Sequence, residues 1–118
     1  WYRPLSNGSV TLGRTDPDLD PLGYRMLFML ELATRHYESD ANLRAVVPQR
    51  SQAYPETRLV SQFETGSIDA AVTYRNMAVE RGYRYLDLPP EIDLSDPRYA
   101  DRCATTSYEL PSGKTIQG

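Results

Sequence analysis

The chain predicts an α/β fold, a mixed central sheet flanked by helices, over residues 1–118 as one unit. Two observations carry this reading. Short β-prone runs alternate with helical patterns along the chain, and Pro or Gly punctuates nearly every junction. Hydrophobic residues at 40% and charged residues at 25% are ordinary for a globular chain and argue against disorder.

In order, Trp1 to Ser9 holds Pro4, Asn7 and Gly8 and reads as an incoming connection and a turn. Val10–Gly13 is a short strand, followed by a loop rich in Asp, Pro and Gly. A helix is expected from about Pro21 to Tyr37. Met26, Leu30, Ala33 and Tyr37 fall on one face, and Glu31, Thr34, Arg35 and Glu38 on the other. Asp20 suits the N-cap and Pro21 the first helical position. Asn42–Val47 reads as a short helix or turn, with Val46 and Val47 leading into an edge strand that Pro48 limits. A second helix runs from Tyr54 to about Thr65, stopped by Gly66 in the left-handed conformation. Ile68–Tyr74 is the most strand-like run. A short helix from Arg75 to Arg81 ends at Gly82, and Tyr83–Leu88 is another strand, broken by Pro89 and Pro90. Ile92–Arg102 reads as loop with a helical turn, Thr105–Leu110 as a last strand, and Ser112-Gly113 as a turn before the tail.

The residues exclude several chemistries. A net charge of −3 leaves no basic footprint for nucleic acid. One cysteine, Cys103, forms no internal disulfide and no zinc cluster, and reads as a half-buried small residue. The single histidine, His36, sits among Arg35, Tyr37 and Glu38 at a helix end and reads as a solvated surface group. Asp16, Asp18 and Asp20 start like a calcium loop. The sixth position, where such a loop needs Gly, is Pro21, and the twelfth, where it needs Glu, is Leu27. No nucleophile–base pair, P-loop or dinucleotide fingerprint is present, so nothing argues for an enzyme. No apolar run is long enough to cross a membrane as a helix.

Two junctions remain as binding candidates. At Asp20-Pro21-Leu22-Gly23 a helix start offers N–H groups near Leu22 and Gly23 to an anion, beside the bland alternative of a simple cap. Thr73-Tyr74-Arg75 ends a strand before a helix, where open α/β sheets place ligands; the bland alternative is a core tyrosine beside a surface charge.

The loop Gly13-Arg14-Thr15-Asp16-Pro17-Asp18-Leu19-Asp20-Pro21-Leu22-Gly23-Tyr24-Arg25 resembles that of the archaeal-type molybdate/tungstate-binding proteins of ABC transporters. Leu59–Tyr74 with its Glu-Thr-Gly-Ser-Ile-Asp core, then Tyr83–Asp96, then Gly113–Ile116 follow in the same order. The resemblance covers nearly the whole chain and is most specific in the first loop and in Leu88–Pro97.

This resemblance implies one lobe, the central one, of a type II periplasmic-binding fold whose second lobe is missing here. The oxyanion would sit between the two lobes, and an ABC permease would recognise the closed form. It implies an extracytoplasmic site of action, in a periplasm or anchored at the cell surface. The start at Trp1, not Met, suits an internal piece, and pairing of two copies in place of the absent lobe is left open. The ligand would be tungstate or molybdate, with no cofactor. Asp20 aligns with a carboxylate that binds the oxyanion's metal atom, a match for hard oxygen donors. Tyr74 aligns with a tyrosine that points its hydroxyl at the anion. The family's second carboxylate falls at or next to Thr73, so either Glu80 substitutes or the anion stays tetrahedral, held by hydrogen bonds alone. Two other readings stand beside transport: a ligand-sensing regulatory domain of the same fold, and a lobe that has lost its ligand.

Overall fold

A computed structural model describes every residue from Trp1 to Gly118. Helix α1 spans Tyr2–Ser6, strand β1 Leu12–Gly13, α2 Pro21–His36, α3 Leu43–Val46, α4 Glu56–Glu64, β2 Ala70–Ala71, α5 Arg75–Arg81, α6 Ala100–Cys103, β3 Ser107–Glu109 and β4 Thr115–Gln117. Short 3-10 turns cover Arg50–Gln52 and Pro97–Tyr99.

Helix α2 is the centre of the molecule. It starts as its sequence dictates, with Asp20 in an extended conformation at φ −139° and its carboxylate accepting from the Leu22 N–H at 2.9 Å. Pro21 fills the first helical position, where the missing N–H costs nothing. Met26, Leu27, Phe28, Leu30, Leu32 and Ala33 are all buried, so the helix is covered on more than one face. The main core joins Leu12 of β1, Met26, Leu30, Leu32 and Ala33 of α2, Leu43 and Val47 around α3, and Ile92 from the segment after Pro89-Pro90.

Polar ties hold the neighbours on α2. Thr34 donates its hydroxyl to the Leu30 carbonyl at 2.9 Å and accepts the Leu43 N–H at 3.0 Å, satisfying a donor at the start of α3. Glu31 pairs with Arg35 at 2.8 Å and Arg44 at 2.7 Å. Those arginines reach on to the Thr105 hydroxyl at 2.6 Å and the Ser107 carbonyl at 2.7 Å, linking α2, α3 and β3. At the far end of α2, the Trp1 indole N–H donates to the Tyr37 hydroxyl at 3.0 Å while Tyr2 stacks on the Tyr37 ring.

Strand β1 lies between two parallel neighbours. Leu12 and Gly13 pair with Ala70 and Ala71 of β2, and on the other side Arg14 forms a parallel bridge with Ala53. Gly13 is required by packing: a Cβ there would lie 2.4 Å from the Ile68 side chain and 2.6 Å from that of Leu59. Strands β3 and β4 form a separate antiparallel hairpin with Tyr108 opposite Ile116. Gly113 turns it with φ 91°, a region that favours glycine.

Several expectations change. The single mixed sheet is replaced by two separate two-stranded sheets, one parallel and one antiparallel. The strand expected over Ile68–Tyr74 is confined to Ala70–Ala71, because β1 offers so short an edge before its Asp-rich loop; the Val72 N–H still reaches the Gly13 carbonyl at 3.0 Å. Tyr83–Leu88 finds no strand partner and forms no ladder, with Tyr85 and Leu86 exposed. Val46 closes α3 and Val47 caps it, so neither enters an edge strand. Trp1–Ser9 contains a helix; Pro4 fits there because the N–H groups of a helix's first turn lack intrahelical partners in any case. The tail after Gly113 is β4. The second helix begins at Glu56, with Pro55 as its N-cap and Tyr54 outside it; the helix Arg75–Arg81, its end at Gly82 and the left-handed Gly66 form as expected.

Three outcomes follow from this packing. Leu30→Ala empties a site with no solvent access and is expected to cost about 2–5 kcal/mol in urea unfolding. Gly23→Ala places a Cβ 2.6 Å from the Asp16–Pro17 backbone and is expected to lower stability by about 1–3 kcal/mol on the same assay. Tyr108 donates its hydroxyl to Asp18, and this bond, with burial adding to it, pushes the phenol up to about 12. Because the folded value is raised, the bond's contribution is complete below about pH 10 and is lost as pH rises through the folded value. Asp18→Asn is therefore expected to return one tyrosine toward ordinary titration, read by tyrosinate absorbance; an unchanged titration would refute the assignment.

Candidate functional site

Because the chain enters β1, Ala53 and β2 in parallel, the three connections that follow them leave the sheet at the same edge. These are the loop from Arg14 to Asp20 into α2, the stretch Tyr54-Pro55 into α4, and Thr73-Tyr74 into α5. Carboxyl ends of parallel strands facing helix starts are where open α/β sheets bind ligands.

A cleft of about 280 Å³ opens between the first two connections. Thr15, Asp16, Leu19 and Asp20 line one side, and Ala53, Tyr54, Pro55 and Glu56 the other. Its size suits a small ion rather than a large organic ligand. The loop on the first side is held by its own hydrogen bonds: the Asp16 carboxylate accepts the Asp18 N–H at 2.8 Å, and the Asp16 carbonyl accepts the N–H groups of Leu19 and Asp20 at 3.1 and 2.9 Å. Leu19 stands at the rim with 85% of its surface exposed.

Asp20 uses one carboxylate oxygen, Oδ1, for the helix cap; the protein supplies no donor to the other. An ionised carboxylate can accept at both oxygens, so the cap leaves Asp20 capacity for a ligand. The Leu22 N–H is consumed by this cap, and the Gly23 N–H donates to the Asp20 carbonyl at 2.9 Å. Neither is a free donor for an anion. Gly23 is buried, and the backbone that approaches it belongs to Asp16 and Pro17 of the same loop. Its missing side chain lets the loop lie against the helix, which corrects the expectation of a ligand approaching there.

Thr73 and Tyr74 leave the sheet at this edge but do not line the cleft. Thr73 donates its hydroxyl to the Met77 sulfur at 3.2 Å. The Tyr74 hydroxyl accepts from the Arg25 guanidinium at 2.7 Å, and its own hydrogen stays free. The residue is 39% exposed, so Tyr74 is not a core tyrosine. Arg25 thus fastens the start of α5 to α2. Glu80 lies on the exposed face of α5, outside the cleft.

At the end of β1, Arg14 is buried near Asp16. Burial pulls its pKa below the ordinary arginine value, opposed by Asp16 and then Tyr108. A guanidinium so placed remains a cation at neutral pH. Asp16, Asp20 and Glu56 all line the cleft, yet no three carboxylates converge closely enough to hold a metal ion. The calcium-like spacing of Asp16, Asp18 and Asp20 therefore folds as a capped turn. Cys103 is half-buried and burial pushes its thiol up, which makes it a poor nucleophile. His36 packs its ring edge against Tyr37 on the surface.

Sequence reasoning overlooked Thr15, Tyr54 and Glu56. Thr15 carried a usable signal, since it directly follows a strand. The place of Tyr54 and Glu56 depends on the long-range bridge between Arg14 and Ala53 and had no local signature.

Over its full length the chain is 56% identical to a protein of Haloferax volcanii provisionally named as an ABC transporter molybdenum-binding protein, covering 38% of that relative. It is 34% identical to the molybdate/tungstate-binding protein WtpA of Pyrococcus abyssi, over 98% of this chain and 40% of the relative. It is 31% identical to WtpA of Thermococcus kodakarensis, over 99% of this chain and 40% of the relative. The chain thus spans about two fifths of the length of these relatives. The profile of the bacterial extracellular solute-binding proteins matches residues 1–109, and the chain belongs to that family.

Proposed function

We propose that this chain is one lobe of a type II solute-binding protein that captures tungstate or molybdate outside the cytoplasm and delivers it to an ABC permease. The observation that supports this reading is Asp20, which lines the cleft and caps α2 with one oxygen while the other receives no donor from the protein. The names of three relatives supply the ligand class.

On this reading the oxyanion enters the cleft and Asp20 directs its second oxygen to the tungsten or molybdenum centre, which as a hard, high-valent ion favours oxygen ligands. The charge conflict between carboxylate and oxyanion is eased in two ways. The positive end of the α2 dipole lies at Asp20, and the buried Arg14 cation lies near Asp16 of the loop. The N–H groups of Leu22 and Gly23 act indirectly, by fixing Asp20 and the turn that carries it. Tyr74, with its hydroxyl hydrogen free, supplies a hydrogen bond from the β2–α5 junction once a second lobe closes over this edge, whereas the Thr73 hydroxyl is already committed to Met77. The exposed Leu19 at the rim would be covered by that closure, a hinge motion of the kind that gives a permease a distinct liganded form to recognise. The reaction is binding and release; no bond of the solute is broken.

Calorimetric titration of the full-length protein with tungstate and molybdate, with sulfate as competitor, tests the proposal. Asp20→Asn keeps a residue that caps well and removes the charge. It is expected to leave the melting temperature nearly unchanged while weakening tungstate binding about ten-fold or more, the equivalent of about 1.4 kcal/mol. Asp20→Ala should weaken binding equally and also lower stability by about 1 kcal/mol. No heat with either oxyanion, or full displacement by equimolar sulfate, would defeat the reading.

A further inference from the structure

Thr15 is the one buried side chain whose polar atom finds no hydrogen-bond partner. The residue is 1% exposed, so bulk water does not reach the hydroxyl either. Buried hydroxyls are almost always paired, because leaving one unpaired costs free energy that packing does not return. Valine has the same shape without that cost. A threonine kept here therefore needs a reason that the folded chain by itself does not provide.

Its position supplies one. Thr15 follows β1 at the strand-end edge and lines the same cleft as Asp20 and Glu56. Its own backbone is fixed: the preceding residue, Arg14, is bridged to Ala53, and the Arg14 guanidinium donates to the Thr15 carbonyl at 3.4 Å. As a β-branched residue Thr15 has few side-chain rotamers, so its hydroxyl is preset before any ligand arrives. The carboxylates beside it, when ionised, accept hydrogen bonds and donate none. An anion in this cleft therefore needs a neutral donor, and the hydroxyl of Thr15 is an unused one.

We propose that Thr15 is a ligand-binding residue: its hydroxyl donates a hydrogen bond to an oxygen of the oxyanion held against Asp20. This rests on the oxyanion-binding reading above and adds a donor that neither Thr73 nor Glu80 provides. The acceptor is an oxygen of a tetrahedral dianion, so tungstate and molybdate should both use it. The hydroxyl sets affinity without choosing between the two, whose oxygens offer the same acceptor.

The test uses the full-length protein with Thr15→Val and Thr15→Ser, titrated with sodium tungstate and sodium molybdate and melted without ligand. A hydrogen bond to a charged acceptor predicts at least a ten-fold weakening of both oxyanions in Thr15→Val, with Thr15→Ser staying within about three-fold of the parent. Without ligand, Thr15→Val should melt at the same temperature or higher, because it removes an unpaired buried hydroxyl. A residue with a purely structural role would show the opposite: a lower melting temperature with unchanged affinity. If the parent binds and Thr15→Val binds within two-fold, the proposal fails while the oxyanion reading stands. If the parent binds neither oxyanion, both fall together. Should Thr15→Val fold poorly, Thr15→Ala replaces it, and retained affinity in that variant would equally overturn the assignment.

Discussion

The clasp around Arg14 is the constraint on which the site depends. Its backbone N–H donates to the Gln52 carbonyl, and its carbonyl accepts the Tyr54 N–H, both at 2.9 Å. Its guanidinium reaches the Gln52 side chain at 3.2 Å and the Gln49 carbonyl at 3.0 Å. Gln52 in turn accepts the Gln49 N–H at 2.7 Å and donates to the Val47 carbonyl at 3.0 Å. One residue thus binds the connection between α3 and α4 to the end of β1, and so sets Tyr54 and Glu56 opposite Asp20. Burying a guanidinium is costly, and no carboxylate makes a direct ion pair with it among the salt bridges present. Neutral acceptors carry the load, with Asp16 adding attraction from nearby.

The second constraint is that α2 serves the core and the site at once. Its middle is sealed by Leu30 and Ala33, which are fully buried, so the helix cannot shift without opening the core. Its first turn is anchored by the Asp20 cap and by the close approach of Asp16–Pro17 over Gly23. Rigidity in the middle therefore becomes precision at the tip. Arg25 extends this to α5 by bonding the Tyr74 hydroxyl and lying 5.7 Å from the centre of its ring. The ion pairs of Glu31 on α2, one to an exposed Arg35 and one to a half-buried Arg44, remain in contact with solvent and are individually worth little; their role is to orient α3 and the hairpin rather than to supply most of the stability.

How much was legible depends on where the deciding contacts lie along the chain. The start of α2 was readable because Asp20, Pro21 and Leu22 settle it among themselves. Gly66 and Gly82 were readable because a helix end needs a left-handed residue that glycine adopts without strain. The strands were less so. Tyr83–Leu88 has the composition of a strand, but a strand exists only with a partner, and no edge meets it. The fusion of all strands into one mixed sheet failed for the same reason: the hairpin of β3 and β4 closes on itself.

The candidate site divides along the same line. The sequence by itself determined Asp20 as a cap at a helix start and marked Thr73 and Tyr74 as a strand end, since these features arise between neighbours. Only the tertiary structure decided that the Leu22 and Gly23 N–H groups are already used. It alone brought Glu56 across to Asp20 and left the Thr15 hydroxyl without a partner. The physical reason is that local hydrogen bonds are set by spacing along the chain. Which buried groups meet, and which go unpaired, is set by parallel pairing between Arg14 and Ala53, separated by a long stretch that spacing cannot foresee.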